Sequence, residues 1–255
     1  MSLLTMIQDV ALSIGLINEE SDLTAVIGNT DPTINQLRAL ANKEGKDLSE
    51  RYDWEGLVFG ATFTTITAAG SNNYQGTFLE SEETSALPLL VQSGIPYNYI
   101  INNTMWDTTN DRPIRGAMSH QAWSRNRNTN SAGPSFEYYE NANRLLLSPA
   151  PSSGTGMHFL YKTKAWNRDF AQTLYQEKWV ADSDFGILDE SLMALGIEWR
   201  YLKSKGFDYS EEFNTYERRV QEAILHDRSH PVINLETSRI GGPGVLRLPE
   251  GSWPS

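Results

Sequence analysis

Between Ile187 and Asp227 the apolar residues repeat with a helical period, lose it once and regain it. Leu188, Leu192, Leu195, Trp199 and Leu202 recur at steps of 4, 3, 4 and 3, which places them on one stripe of an α-helix. Gly206 interrupts the pattern, and Phe213, Tyr216, Val220 and Ile224 resume it at steps of 3, 4 and 4. Two amphipathic helices joined by a short Lys205-Gly206-Phe207 turn form an αα-hairpin, and a hairpin with apolar stripes needs a partner surface. Asp182 or Asp184 suits the cap of its first helix. Asp189 and Glu190 fall in the first turn, where the helix dipole favours negative charge, and Lys203 and Lys205 lie near the end. These are scaffold residues with no catalytic chemistry among them.

Two further helices precede the hairpin. Leu4, Ile7, Ala11 and Ile14 share one helical face, and Gly15 suits a left-handed cap at its end. Asp31-Pro32 is a start signal, with Asp as N-cap and Pro at the first helical position. Ile34, Leu37, Ala41, Leu48 and Tyr52 then follow at near-helical spacing, so a helix runs to about Tyr52. Gly45 inside it costs roughly 1 kcal/mol relative to Ala; it is either a site of close helix approach or a tolerated weak point.

After Trp54 the character changes. Ala61–Thr67 is rich in β-branched residues, Arg144–Ser148 is an apolar run bounded by Pro149 and Pro151, and Met157–Lys162 alternates, so all three are expected strands. Gly70–Asn73 and Asn126–Pro134 carry the Gly, Asn, Ser and Pro clusters of loops. The expected class is α+β. An antiparallel helical bundle (1–54 and 166–228) carries a β-rich insertion (55–165) and an extended C-terminal arm (229–255). The arm is punctuated by Pro231, Gly241-Gly-Pro-Gly244, Pro249 and Pro254, yet it keeps Val232, Ile233, Val245, Leu246, Leu248 and Trp253. Such a segment gains stability on a partner, where alternate residues such as Val245 and Arg247 set register.

The chain has 21 Lys and Arg against 32 Asp and Glu, a net charge of −11, and the surplus is local. Residues 1–60 carry 4 basic and 10 acidic side chains, residues 61–165 carry 7 of each, and residues 166–228 carry 8 and 13. An acidic helical region does not bind DNA by counterion release; it suits the wall of a passage to which DNA must not stick, or simply a soluble surface. Glu44, Asp47, Glu198 and Glu217 are the candidates for such a wall. Leu3–Ile17 is broken by Gln8, Asp9 and Ser13 and lacks a basic leader, so it is expected to be an amphipathic helix and not a signal peptide or membrane span.

Cysteine is absent, which removes disulfides and thiolate metal sites and fits a reducing cytosol. His120, His158, His226 and His230 have no metal spacing, and Asp182-Ser183-Asp184 lacks the rest of a calcium loop, so capping is the expected role of its carboxylates. Gly241-Gly-Pro-Gly244 opens no helix and has no Lys, so it is no phosphate loop. No cofactor is expected. Tyr97, Tyr99, Tyr138 and Tyr139 suit a sugar-binding groove or, more simply, strand packing. Arg125-Asn-Arg127 is a weak basic patch expected in a solvated loop.

Two blocks of sequence resemble the head-to-tail adaptor proteins of tailed bacteriophages, also called neck or tail-tubular proteins. The first is Pro96, Asn103-Thr104-Met105-Trp106, Arg112-Pro113-Ile114-Arg115-Gly116, Ser119 and Trp123. The second is Asp182-Ser-Asp184, Leu188-Asp189-Glu190, Leu195-Gly196, Trp199-Arg200, Gly206, Asp208-Tyr209 and Tyr216. The opening Ser2-Leu-Leu-Thr5, the Gly28–Pro32 helix start and Tyr52-Asp53-Trp54 extend the likeness across most of Ser2–Asp227, leaving out Gly70–Ser93 and the segment after His230.

The resemblance implies a structural protein and no enzyme: a ring of about twelve copies in the virion neck, assembled in the host cytoplasm, between the portal and the tail nozzle or tube, with a closed heterologous interface. Genomic DNA would pass through the ring without specific binding, and no membrane is involved. The arm (Val232, Ile233, Val245, Leu246, Arg247, Leu248, Trp253) is expected on the portal, or alternatively around the adjacent subunit. A different class remains open: a tail-associated glycan-binding or hydrolase module in the β-rich insertion, in which acids such as Glu137 and Glu140 converge.

Overall fold

The computed structural model describes residues 2–66, 74–77, 89–92, 94–129, 136–141 and 143–227. The expected arm, with Val232, Ile233, Val245, Leu246, Arg247, Leu248 and Trp253, lies outside the described residues. Among the described residues the chain is a mixed α+β protein whose strand ladders are all antiparallel.

Helix α1 (Leu3–Ser13) opens with a capping box, in which the Ser2 N–H donates to Thr5 Oγ1 at 2.8 Å and the Thr5 N–H donates back to Ser2 Oγ. Left-handed Gly15 ends it, and the N–H groups of Gly15 and Leu16 close on the carbonyls of Leu12 and Ala11. Leu3, Met6, Ile7, Val10 and Ala11 are buried, whereas Leu4 and Ile14 are half-buried, so the buried stripe is shifted from the expected one. Helix α2 (Pro32–Arg51) starts as its sequence signals, with Asp31 accepting from the Thr33 N–H at 2.7 Å.

Strand β1 (Val58–Thr64) begins three residues before the expected run. It is followed by β2 (Tyr74–Thr77), β3 (Tyr97–Ile100), and the two-residue strands β4 (Trp106–Asp107) and β5 (Arg112–Pro113). Strand β2 lies within Gly70–Ser93, the stretch left out of the family likeness. Helix α3 (His120–Thr129) takes up the start of the expected Asn126–Pro134 loop. Strands β6 (Glu137–Asn141), β7 (Arg144–Ser148) and β8 (Gly156–Thr163) follow, then β9 (Asn167–Arg168), β10 (Tyr175–Gln176) and β11 (Phe185–Gly186). Strand β8 is the centre of the largest sheet, pairing with β1, β3 and β4, while β4 also pairs with β5. Strand β7 lies between β2 and β6, and β9 lies between β10 and β11.

Helices α4 (Glu190–Lys205) and α5 (Ser210–Asp227) form the hairpin. Asp189, and neither Asp182 nor Asp184, caps α4 by accepting from the Ser191 N–H at 2.9 Å. The other two carboxylates serve loops. Asp182 accepts from the N–H groups of Val26 and Ile27, and Asp184 from those of Val180 and Ala181. At the far end Gly206 is left-handed at φ 77°, and the N–H groups of Gly206 and Phe207 close on the carbonyls of Lys203 and Leu202.

Two hydrophobic clusters result. One gathers Met6, Leu37, Leu48, Trp54, Trp166, Ile197, Trp199 and Tyr216 from the helices and the segments beside them; the other gathers Phe63, Tyr97, Tyr138, Leu147, Phe159 and Tyr161 from the sheets. Gly45 is a site of close approach by the Trp166 ring, from the segment before β9 and not from a second helix, because a Cβ there would strike that ring. The clusters are clasped where α2 runs into the sheets. The buried Lys162 ammonium on β8 donates to the Tyr52 carbonyl at 2.7 Å and to Asp53 at 3.0 Å, and the Tyr99 hydroxyl donates to the same carboxylate. Burial alone would raise the Asp53 carboxyl, but the hydrogen bonds from Tyr99 and Lys162 hold it below its ordinary value.

Candidate functional site

The densest polar arrangement lies on the seam of α2, α4 and α5. Glu44 sits on the apolar stripe of α2 between Ala41 and Leu48 and is 0% exposed. A carboxylate there needs compensation, since an unpaired buried charge costs several kcal/mol. Arg200 of α4 supplies it through Nε at 2.6 Å, and the Tyr216 hydroxyl of α5 donates to the other carboxylate oxygen. The second arm of the same guanidinium reaches Asp47 at 2.8 Å. One turn further along α2, Arg51 pairs with Glu217 at 2.8 Å and lies 5.3 Å from the centre of the Tyr216 ring. Burial, then the neighbouring Glu44 charge and hydrogen bond, push the Tyr216 phenol far up, so it stays a donor.

This geometry decides one of the expected passage acids. Glu44 is an internal counter-ion and presents no charge to a surface, so it is removed from the wall. Asp47 and Glu217 are on the same seam and are paired with Arg200 and Arg51. Glu198 is elsewhere. It accepts from Ser13 Oγ at 3.2 Å in a groove between α1, α4 and α5. That groove, about 580 Å³, has Val10, Leu192, Leu195 and Ala223 as its floor and Asp9, Glu222, Arg219 and His226 on its rim. Its two hydroxyls have structural acceptors: Ser13 donates to the Val10 carbonyl and Ser191 to the Asp189 cap.

On the β side, Glu137 and Glu140 are three residues apart on β6 and leave opposite faces of the strand, so they do not converge. Glu137 accepts from Asn126 of α3 at 3.1 Å, and Glu140 accepts from the Tyr97 hydroxyl. Burial raises the Glu140 carboxyl, and the Tyr97 hydrogen bond only partly offsets it. Tyr97, Tyr138 and Tyr139 are buried packing residues, whereas Tyr99 is 37% exposed and engaged with Asp53. His120 bonds to Tyr139, on which Trp123 stacks at 5.1 Å, so α3 is docked on β6 and carries Arg125-Asn126-Arg127 on a helix in place of a loop. Among the described residues no group of three or more His, Asp or Glu is placed to hold a metal ion, and no helix is long and apolar enough to cross a membrane.

The seam was readable in principle. An acid inside an apolar stripe, as in Ala41, Glu44 and Leu48, requires a cation from a facing helix, and Arg200 beside Trp199 on the α4 stripe is placed to be that cation. Periodicity alone does not pair them. No protein-family model matches the chain, and no curated protein shows significant similarity to it.

Proposed function

We propose that this protein is a head-to-tail adaptor of a tailed bacteriophage, a structural subunit and not an enzyme. In this reading an antiparallel helical bundle bears a β-rich insertion, and about twelve copies close into a ring in the virion neck. The portal lies on one side, the tail nozzle or tube on the other, and DNA passes through the axis without specific contacts. Asp47, Glu198 and Glu217 remain the acids assigned to the passage wall, and the segment 229–255 is assigned to the portal.

One observation supports the reading most. The residues of the second block of likeness are the ones that close the three-helix seam: Gly196 makes room for Glu44, Arg200 and Tyr216 satisfy its carboxylate, Trp199 packs on Tyr216 at 6.1 Å, and Gly206 turns the hairpin. Shared residues that build a rigid frame and do not line a reactive cleft suit a load-bearing subunit. The glycan-binding or hydrolase alternative gains no comparable support, since Glu137 and Glu140 diverge. Negative-stain imaging of the full-length protein, alone and mixed with its portal, tests the proposal. Rings docked coaxially on the portal are expected, and a monomer that leaves the portal bare overturns it.

A further inference from the structure

The last turn of α5 delivers the chain to the mouth of an apolar groove. Beside the groove between α1, α4 and α5 lies a second cavity of about 470 Å³, bounded by the end of α5, Trp54, Ile187 and Leu188. The two cavities share Asp189, Leu192, Ala223 and His226 in their walls, so they form one continuous groove. Ile187, Leu195 and Ala223 are only half-buried along it although they pack on the helical core. Asp227, the last residue of α5, is in the wall of the second cavity, and its carboxylate accepts from the Glu55 N–H at 2.9 Å. That bond fixes the point where the chain leaves the helix at the groove itself.

The sequence that follows suits the groove in length, polarity and charge. Val232, Ile233 and Leu235 are its first apolar residues, and Pro231 before them biases His230 away from helix, so the chain can turn there. Five extended residues span at most about 18 Å, which keeps Val232 within reach of the second cavity. Along α5 the groove runs from Asp227 back to Arg219, a rise of about 12 Å. Val232–Leu235 in extended form covers that length. The rim carries Asp9, Asp189, Glu198 and Glu222 against Arg219 and His226. Asp189 is used as the α4 cap and Glu222 pairs with Arg219, which leaves Asp9 and Glu198 as the surplus charge. Residues 228–240 carry Arg228 and Arg239 against Glu236, a surplus of the opposite sign.

We infer that the segment straight after α5 turns back on its own subunit, with Val232, Ile233 and Leu235 laid antiparallel to α5 in this groove and its basic side chains toward the acidic rim. A segment attached this close to its site acts at an effective concentration of about millimolar, so a few apolar contacts hold it. Gly241-Gly-Pro-Gly244 then separates the seated stretch from Val245–Trp253, which is left for the portal. The contact belongs to the single subunit and does not depend on the ring.

The chain has no cysteine, so disulfide trapping in the full-length protein tests it. Ala223→Cys on the groove floor is combined in turn with Val232→Cys, Ile233→Cys and Leu235→Cys, and with Ser252→Cys as the reference pair. With diamide as oxidant, at least one groove pair is expected to link within the chain at least roughly tenfold faster than the reference. Linkage no faster than the reference for all three overturns the inference. A mixture of isotope-labelled and unlabelled chains identifies the donor: links that join labelled to unlabelled chains overturn it too, because a neighbour's segment then fills the groove. Should Ala223→Cys not fold, hydrogen exchange of the wild-type chain decides. The amides of residues 232–235 are then expected to exchange at least roughly tenfold more slowly than those of 245–248, with Ile233→Asp abolishing the difference, and equal exchange in the wild type overturns the inference.

Discussion

Gly196 on α4 leaves the space that the Glu44 carboxyl group on α2 occupies, and a Cβ at position 196 would overlap that carboxyl. Helix propensity favours Gly196→Ala by about 1 kcal/mol. Overpacking of a buried site costs about 1–3 kcal/mol and here also displaces an ion pair, so the second effect wins. The variant is expected to lose about 1–3 kcal/mol in urea denaturation. A gain in stability would show that α2 and α4 can move apart freely.

The Glu44–Arg200 pair distinguishes breaking an ion pair from replacing it. Arg200→Ala leaves a fully buried carboxylate with only the Tyr216 hydroxyl, and a loss of roughly 3–5 kcal/mol is expected. Glu44→Leu with Arg200→Met removes both charges and should recover most of that loss. If the double variant is as unstable as the single one, packing and not charge holds the seam.

Trp199 is 7% exposed and lies between Tyr209, Phe213 and Tyr216, with ring centres 5.1 to 6.2 Å away. Its indole N–H has no partner in the subunit, so its contribution comes from packing and from the Arg200 and Lys203 cations over its ring, 4.5 and 5.6 Å from the ring centre. Trp199→Ala should cost roughly 3–5 kcal/mol in chemical denaturation. A variant as stable as wild type would mean that the aromatic cluster is not part of the core.

Two carboxyls give opposite pH dependence. Asp53 has a lowered value, so its stabilisation is present above its unfolded value of about 3.9 and is lost as pH falls through the folded one. Glu140 has a raised value, so its contribution is present below about 4.3 and is lost as pH rises through the folded one. Glu140→Gln is therefore expected to raise the melting temperature at pH 7 and not at pH 3.5. Asp53→Asn is expected to lower it at pH 7 and not at pH 2. Calorimetric scans across that range check both signs.

The helices were legible because their caps and periods are strong local signals: Asp31-Pro32, Gly15 and Gly206 all stand where the chain turns. Helix α4 exceeds its stripe because it packs against α1, α2 and α5 together, burying Met193, Gly196, Ile197 and Tyr201 as well as Leu192 and Trp199 of the stripe, while Leu195 and Leu202 stay half-buried. Helix α3 was hidden by composition. Its His120–Thr129 sequence is almost wholly polar, and Trp123 holds it by stacking on Tyr139, a contact that has no period. Two-residue strands such as β4 and β9 have no alternation to detect. The divergence of Glu137 and Glu140 was readable from their odd spacing once β6 is a strand. The pairing of Glu44 with Arg200, 156 positions away, depends on tertiary packing.

That separation sets a waiting time. A ribosome adds roughly 5–20 residues per second, so Glu44 is made roughly 8–30 seconds before Arg200. Throughout that interval a nascent helix holds an uncompensated carboxylate in the middle of its apolar face. The pair that closes the seam can therefore form only after most of the chain has been synthesised.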